Sequence, residues 1–137
     1  MISFQINSKL KLADRKMIKL WLTNICKEEG FKIGALTYLF VDDKEMIKYN
    51  KEFLNHNTLT DVITFENNED NNISGDIIIS TERILDNSKT YNVGFINELY
   101  RVMAHGLLHL LGYKDKKKFD IKKIREKEAY YLNKITY

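Results

Sequence analysis

The chain has 137 residues, of which 44% are hydrophobic and 30% are charged, and its formal net charge is +3. This length is enough to bury a sizeable core, and we expect one domain that spans residues 1–137. Since no apolar run is long enough to cross a bilayer and the N-terminus lacks a signal-peptide core, we expect neither membrane insertion nor secretion.

The chain contains a single cysteine, Cys26, which rules out a disulfide within the chain. A lone cysteine fits a reducing compartment, so we expect the protein to be cytoplasmic. Cys26 lies in a stretch with helical periodicity, where we interpret it as a small core residue rather than a nucleophile.

Periodicity and composition predict strands and helices that alternate at first and then become mostly helical. Strands are indicated where polar and apolar residues alternate or where β-branched and aromatic residues cluster, and helices where apolar residues recur every three or four positions. In chain order, the predictions are a strand at 2–6, a helix at 13–29, a strand at 33–41, a helix at 43–54, strands at 61–65 and 76–80, and helices from 81, at 95–111 and from about 118.

Short local patterns set the predicted boundaries. Asp42 and Glu45 have the spacing of a capping box, and Ser80 can cap the helix that follows it. Gly112 is a natural helix stop, because glycine adopts the left-handed conformation at little cost. Residues 67–72, rich in asparagine and acidic side chains, predict a hairpin or loop. Together the elements predict an α/β (α+β) fold with one small mixed sheet of about four strands packed with helices.

The predicted helix at 95–111 carries two of the three histidines, His105 and His109, four residues apart. Side chains at this spacing lie one above the other on the same face, about 5–6 Å apart between Cβ atoms, so both imidazoles can bind one ion. Asp115, beyond the glycine stop, can supply a third ligand. Three ligands and an open position are typical of a catalytic metal site. These ligand types favour zinc without excluding manganese, iron or nickel.

Two other interpretations apply to the same helix. It would also serve as a core helix, in which a single histidine is more often hydrogen-bonded than metal-bound, but a second histidine on that face favours a metal. The His-x3-His spacing also occurs in zinc metalloproteases, whose general base is a glutamate directly after the first histidine. Gly106 stands there in this chain, which argues against a protease. A glycine inside a helix also indicates close approach of backbone or substrate.

Two blocks of the sequence resemble the YbeY family of metal-dependent bacterial endoribonucleases. The family motif H-G-x-L-H-L-x-G-Y-D-H is matched, in order, by His105, Gly106, Leu108, His109, Leu110, Gly112 and Tyr113. The family's T-[DN]-V-[LI]-[ST]-F strand, variable loop and G-D-I are matched at 60–65, 66–74 and 75–77. Because the order and positions of both blocks fit, the resemblance covers essentially the whole chain.

The chain departs from the family pattern at two places. The third histidine of the family falls on Asp115, since a shift by one residue would put Lys116 there, and a protonated ammonium cannot bind a cation. The family's arginine, six residues before the threonine of the first block, is thought to act in catalysis or RNA binding. Leu54 occupies that position, and His56 is a candidate to replace part of its role.

The resemblance implies a single-strand-specific, metal-dependent endoribonuclease in ribosomal RNA processing, at the 3′ end of 16S rRNA, and in ribosome quality control. It implies one divalent ion, with zinc favoured, bound by His105, His109 and Asp115. The implied partners are single-stranded ribosomal RNA and the small ribosomal subunit, with no organic cofactor. The alternatives are a non-catalytic, metal-stabilised ribosome assembly factor and another metal-dependent hydrolase or peptidase.

Further site residues are predicted with an alternative for each. Asp61 and His56 are candidates for the general base, but Asp61 could equally pin the edge of a strand, and a loop histidine is often a plain surface residue. A run of lysines, Lys116, Lys117 and Lys118, follows the proposed ligands and predicts contacts with RNA phosphates. Such a run is also typical of a solvated helix face.

Overall fold

The computed structural model describes residues 1–54 and 59–135, and within these ranges it contains four strands and five helices. In chain order they are β1 (Ile2–Asn7), α1 (Arg15–Glu28), β2 (Lys32–Val41), α2 (Asp43–Leu54), β3 (Val62–Glu66), β4 (Asn72–Ser80), α3 (Thr81–Thr90), α4 (Phe95–Leu110) and α5 (Lys118–Leu132). The predicted order of elements is confirmed.

The four strands form one mixed sheet in the order β1-β2-β4-β3. β1 pairs with β2 and β2 with β4 in parallel, whereas β3 and β4 form an antiparallel hairpin. Parallel neighbours need a crossover connection, and α1 lies in the connection between β1 and β2. The predicted α/β (α+β) fold with a small mixed sheet is therefore confirmed.

The hairpin of β3 and β4 is longer than the sequence predicts. β4 begins at Asn72, four residues before the predicted start, and the chain turns where the backbones of Glu69 and Asn72 exchange hydrogen bonds of 3.1 and 2.8 Å. The added residues pair with the beginning of β2, where Lys32 lies opposite Asn72. This extension depends on pairing with the neighbouring strand β2. The composition of a polar, asparagine-rich segment does not indicate that such a partner is present.

Most of the core lies between one face of the sheet and the helices α1, α4 and α5. The hydroxyl of buried Tyr38 in β2 donates to the carbonyl of Met103 in α4 at 2.8 Å. The indole of Trp21 in α1 donates to the carbonyl of Tyr131 in α5 at 2.8 Å. Cys26 is fully buried, as predicted, and burial raises the pKa of its thiol to about 11.

The other face of the sheet is partly covered by α2. Alternate residues of a strand point to opposite faces, so Ile78 packs with Met46 of α2 while its neighbours Ile77 and Ile79 belong to the main core. None of the described helices is long and apolar enough to cross a membrane.

The predicted Ser80 cap is confirmed, and so is the half of the predicted capping box in which the Asp42 side chain accepts a hydrogen bond. The backbone N–H of Arg83 donates to the Ser80 hydroxyl at 3.3 Å, and that of Glu45 donates to the Asp42 carboxylate at 2.8 Å. The Glu45 carboxylate accepts a hydrogen bond of 2.7 Å from the Asn7 side chain, which joins α2 to the end of β1. These contacts place the helices relative to the strand ends.

Candidate metal centre

The end of α4 is a Schellman turn built on Gly112. Its φ is +105°, its N–H donates to the carbonyl of His109 at 3.0 Å, and the N–H of Tyr113 donates to the carbonyl of Leu108 at 3.0 Å. Both bonds satisfy carbonyls that the end of a helix leaves without partners. The predicted glycine stop is confirmed, and the chain reverses beside the last turn of α4.

The loop after α4 is anchored by a motif tyrosine. The hydroxyl of Tyr113 donates to the Glu29 carboxylate at 2.6 Å, directly after α1, and that carboxylate also binds Tyr131 and the ammonium of Lys127. Burial alone would raise the pKa of the Glu29 carboxyl, but these hydrogen bonds outweigh it and lower that pKa. The loop is thereby held between α1 and α5.

Gly106 allows α4 to lie close against the sheet. A Cβ atom at this position would come within 2.7 Å of Cγ2 of Ile77 in β4, which is far inside van der Waals contact. The predicted close approach at this glycine is therefore between the backbone of α4 and strand β4. It determines how far the turn of α4 that carries the histidines lies from the sheet.

The structure brings three predicted ligands together. The Nε2 atoms of His105 and His109 are 2.9 Å apart, and Asp115 Oδ2 lies 3.2 Å from Nε2 of His109 and 3.5 Å from Nε2 of His105. Ligands of tetrahedral zinc at 2.0–2.1 Å would be about 3.3 Å apart. In the described part of the chain, this is the cluster of histidine and acidic residues that could hold a metal ion.

A buried ion-pair network stands behind His105. Its Nδ1 is 2.5 Å from Oε2 of Glu128 in α5, and Oε1 of Glu128 accepts a hydrogen bond of 2.9 Å from Arg101. Arg101 in turn donates to both carboxylate oxygens of Glu98, at 2.9 and 2.7 Å. Both carboxylates are almost fully buried.

The charges of this network stabilise one another. Burial alone would raise the pKa of the Glu128 carboxyl, but hydrogen bonds from His105 and Arg101 outweigh it and lower that pKa. Burial would likewise lower the pKa of the Arg101 guanidinium, and the two carboxylates raise it instead. The Glu128 carboxylate and the Arg101 guanidinium are therefore both charged at neutral pH.

Sequence reasoning missed this network, although two signals point to it. Glu98 and Arg101 occupy the face of α4 that leads to the histidines, three residues apart and at helical spacing from His105. Glu128 interrupts an apolar stripe in α5 between Ile124 and Tyr131, both of them buried. A carboxylate in such a stripe needs a partner, and the sequence does not identify it.

The hairpin loop contributes a further contact that was not predicted. The side-chain amide of Asn68 donates to the carbonyl of Leu110, the last residue of α4, at 2.9 Å, and its oxygen accepts from the Ser74 backbone at 2.9 Å. The loop between β3 and β4 therefore holds the end of the helix that carries the histidines.

Asp61, one of the two candidates for the general base, is not in the cluster of possible ligands. Asp61 precedes β3, where its carboxylate accepts a hydrogen bond of 3.3 Å from Asn87 in α3 and its carbonyl accepts one of 3.0 Å from the Ser80 backbone. These contacts tie the start of the hairpin to α3. His56 lies outside the described residues. Leu54, at the position of the family's arginine, is the last residue of α2 and is exposed.

The lysines predicted to contact RNA directly follow Asp115, the predicted third ligand. Lys116 and Lys117 lie in the loop and Lys118 begins α5, and all three are exposed. The N-terminal end of a helix carries a partial positive charge, so the lysines add to a field that already favours anions.

Comparison with known proteins covers nearly the whole chain. A family model described as endoribonuclease YbeY matches residues 2–136. The endoribonuclease YbeY of Flavobacterium johnsoniae is 44% identical over 128 residues, which cover 93% of this chain and 92% of the relative. That of Cytophaga hutchinsonii is 42% identical over 131 residues, covering 95% and 92%. The solution structure of TM1509 from Thermotoga maritima superposes with a TM-score of 0.69 at 26% identity, covering 98% of this chain and 89% of that chain.

Proposed function

Since this chain belongs to the endoribonuclease YbeY family, we propose that it hydrolyses phosphodiester bonds of single-stranded RNA during ribosomal RNA maturation. The observation that carries the proposal is the cluster of His105, His109 and Asp115, whose ligand atoms lie 2.9–3.5 Å apart. Its relatives are named endoribonucleases, and two of the three residues of the cluster, His105 and His109, belong to the motif that this chain shares with the family.

We propose that the cluster holds one divalent ion, and that the ion is zinc. Two imidazoles and one carboxylate are a donor set of catalytic zinc sites. When bound, such an ion supplies Lewis acidity to a phosphoryl oxygen and lowers the pKa of a water molecule. The two histidines on α4 would orient the site, and the exposed side near Asp115 would admit RNA and water.

The remaining roles follow from position and charge. We propose that Lys116, Lys117 and Lys118 bind the RNA backbone, because phosphate contacts position a nucleic acid without reading its sequence. Asp61 and His56 stay candidates for the general base. The substrate that we propose is the 3′ end of 16S rRNA on the small ribosomal subunit. We also propose that the protein is located in the cytoplasm, because a free, buried cysteine such as Cys26 is consistent with a reducing compartment.

The test is RNA cleavage by the purified full-length protein after its metal content has been measured. Single-stranded RNA should be cut and a duplex of the same sequence spared, a chelator should stop the reaction, and added zinc should restore it. The double variant His105→Ala, His109→Ala should be inactive, which controls for a contaminating nuclease. Metal binding without turnover would contradict the proposal and support the assembly-factor alternative, and cleavage of peptides in place of RNA would support a peptidase.

A further inference from the structure

We propose that Glu128 is a positioning residue of the metal centre, and that its carboxylate holds His105 in the tautomer whose Nε2 atom can bind the ion. This inference rests on the proposed metal-dependent function, because it concerns the same site. It adds a residue of α5 to a centre whose ligands lie on α4 and the following loop.

The direction of the imidazole carries the inference. Nδ1 of His105 lies 2.5 Å from Glu128 Oε2, while Nε2 faces His109 Nε2 and Asp115 Oδ2 at 2.9 and 3.5 Å. An ionised carboxylate only accepts hydrogen bonds, so Nδ1 must donate. A neutral imidazole has one N–H, and Nε2 therefore presents its lone pair to the position between the ligands. Histidines that bind metals usually have such a partner on the other nitrogen.

The carboxylate of Glu128 is itself fixed. Oε1 accepts from Arg101 at 2.9 Å, and Arg101 is held by both oxygens of Glu98, one turn earlier in α4. A guanidinium has only donors, so Arg101 requires an acceptor at the Oε1 position. The Glu128 side chain is 2% exposed, so little water competes for these bonds. The network thus leaves Oε2 for His105.

This arrangement makes Glu128→Gln an informative substitution of nearly unchanged size. Because Arg101 still requires an acceptor, the amide oxygen of the glutamine would take the place of Oε1. The amide NH2 would then face Nδ1 of His105. Nδ1 would then accept a hydrogen bond, and the imidazole proton would move to Nε2. The variant should therefore block the ligand atom with a proton while the fold is kept.

The experiment compares the metal-free wild type, Glu128→Gln and the control Glu126→Gln, an exposed glutamate of the same helix. Long-range 1H–15N spectra of the histidines, recorded over a range of pH, report which ring nitrogen of His105 carries the proton in the neutral imidazole. We expect Nδ1–H in the wild type and the control, and Nε2–H in Glu128→Gln. Zinc affinity, measured by competition with a chromophoric chelator, should fall by about 10–100-fold in Glu128→Gln alone.

The outcomes separate this inference from the proposed function. If the wild type binds no zinc, the proposed function fails, and the tautomer in the metal-free protein still decides the role of Glu128. If the wild type binds zinc and Glu128→Gln binds it as tightly with Nδ1 of His105 protonated, Glu128 has no positioning role. Should Glu128→Gln fail to fold, the wild-type spectrum decides, and an Nε2–H tautomer there overturns the inference.

Discussion

The candidate metal centre has two halves that differ in how firmly each predicted ligand is held. The helical half consists of His105 and His109 with the buried network of Arg101, Glu98 and Glu128, and the loop half consists of Asp115 and the three lysines that follow it. The exposed fraction of the side chain rises from 12% at His105 through 23% at His109 to 43% at Asp115. His105 is fixed from behind by a buried carboxylate, whereas Asp115 lies on a loop anchored two residues earlier by Tyr113. We therefore expect the helix to set the affinity for the proposed ion and the loop to leave room for substrate.

The two halves also use charge differently. The helical half contains ion pairs of Arg101 with two buried carboxylates, which are costly to break because an uncompensated charge would stay buried. The loop half carries exposed lysines, whose interactions are screened by salt. Substitutions in the first half should therefore change stability and metal binding, and those in the second should change RNA binding.

The largest effect is expected from removing both helical ligands. In the double variant His105→Ala, His109→Ala, the exposed carboxylate of Asp115 is the only member of the cluster left, and one carboxylate holds zinc poorly. Loss of a residue that only supports a ligand can lower metal affinity by up to about 100-fold, and loss of both histidines should lower zinc affinity by more than that. Elemental analysis after dialysis measures the metal retained. Full zinc occupancy in this variant would contradict the proposal that His105 and His109 bind the ion.

Stability should depend on the arginine of the buried network. Arg101→Met leaves Glu98 and Glu128 without their main partner, so the free energy of unfolding should fall by about 3 kcal/mol. The matched control is Arg125→Met, because Arg125 contacts the same carboxylate at 3.2 Å but is 54% exposed, and its loss should cost less than about 1 kcal/mol. Urea unfolding measures both, and equal losses would contradict the difference between buried and exposed partners.

The exposed ligand should matter less than either histidine. Asp115→Ala should weaken zinc binding by about tenfold, or about 1.4 kcal/mol, because water can take the place of an exposed carboxylate. Asp115→His restores the family's pattern and should retain the ion, and Lys116→Ala should leave metal content unchanged. If Lys116→Ala loses metal and Asp115→Ala does not, the third ligand has been assigned one residue too early.

The lysines of the loop half should act on RNA alone. Replacing Lys116, Lys117 and Lys118 by glutamine should weaken binding and lower its salt slope by up to about 2, since each contact with single strands contributes about 0.7. Metal content should not change. A matched triple variant removes three exposed lysines near the start of α1, Lys9, Lys11 and Lys16. Equal changes in the two triple variants would assign the loop lysines to a solvated surface.

The smallest effect concerns the anchor of the loop. The pKa of Glu29 is lowered in the folded protein, so its contribution to stability is present above its unfolded pKa of about 4.3 and is lost as the pH falls through the folded value. Glu29→Gln should cost about 1 kcal/mol at pH 7. The difference from wild type should shrink from about pH 5 downward. Unfolding experiments at several pH values measure Glu29→Gln beside the control Glu52→Gln, which changes an exposed glutamate.

Features that depend on neighbours within one or two turns were predictable. The positions of the helices, the caps at Asp42 and Ser80 and the stop at Gly112 were all confirmed, because each rests on hydrogen bonds between residues close in sequence. The start of β4 was missed, since its first residues pair with a distant strand. Polar residues alone do not indicate which strand will accept them.

The sequence by itself determined that His105 and His109 share one face of a helix, because that follows from helical geometry. It also determined the family, through a motif whose residues are close together along the chain. Only the tertiary structure decided which ring nitrogen of His105 faces the cluster. An isolated helix leaves the imidazole free to rotate, and its direction depends on Glu128, 23 residues away, which folding brings within 2.5 Å.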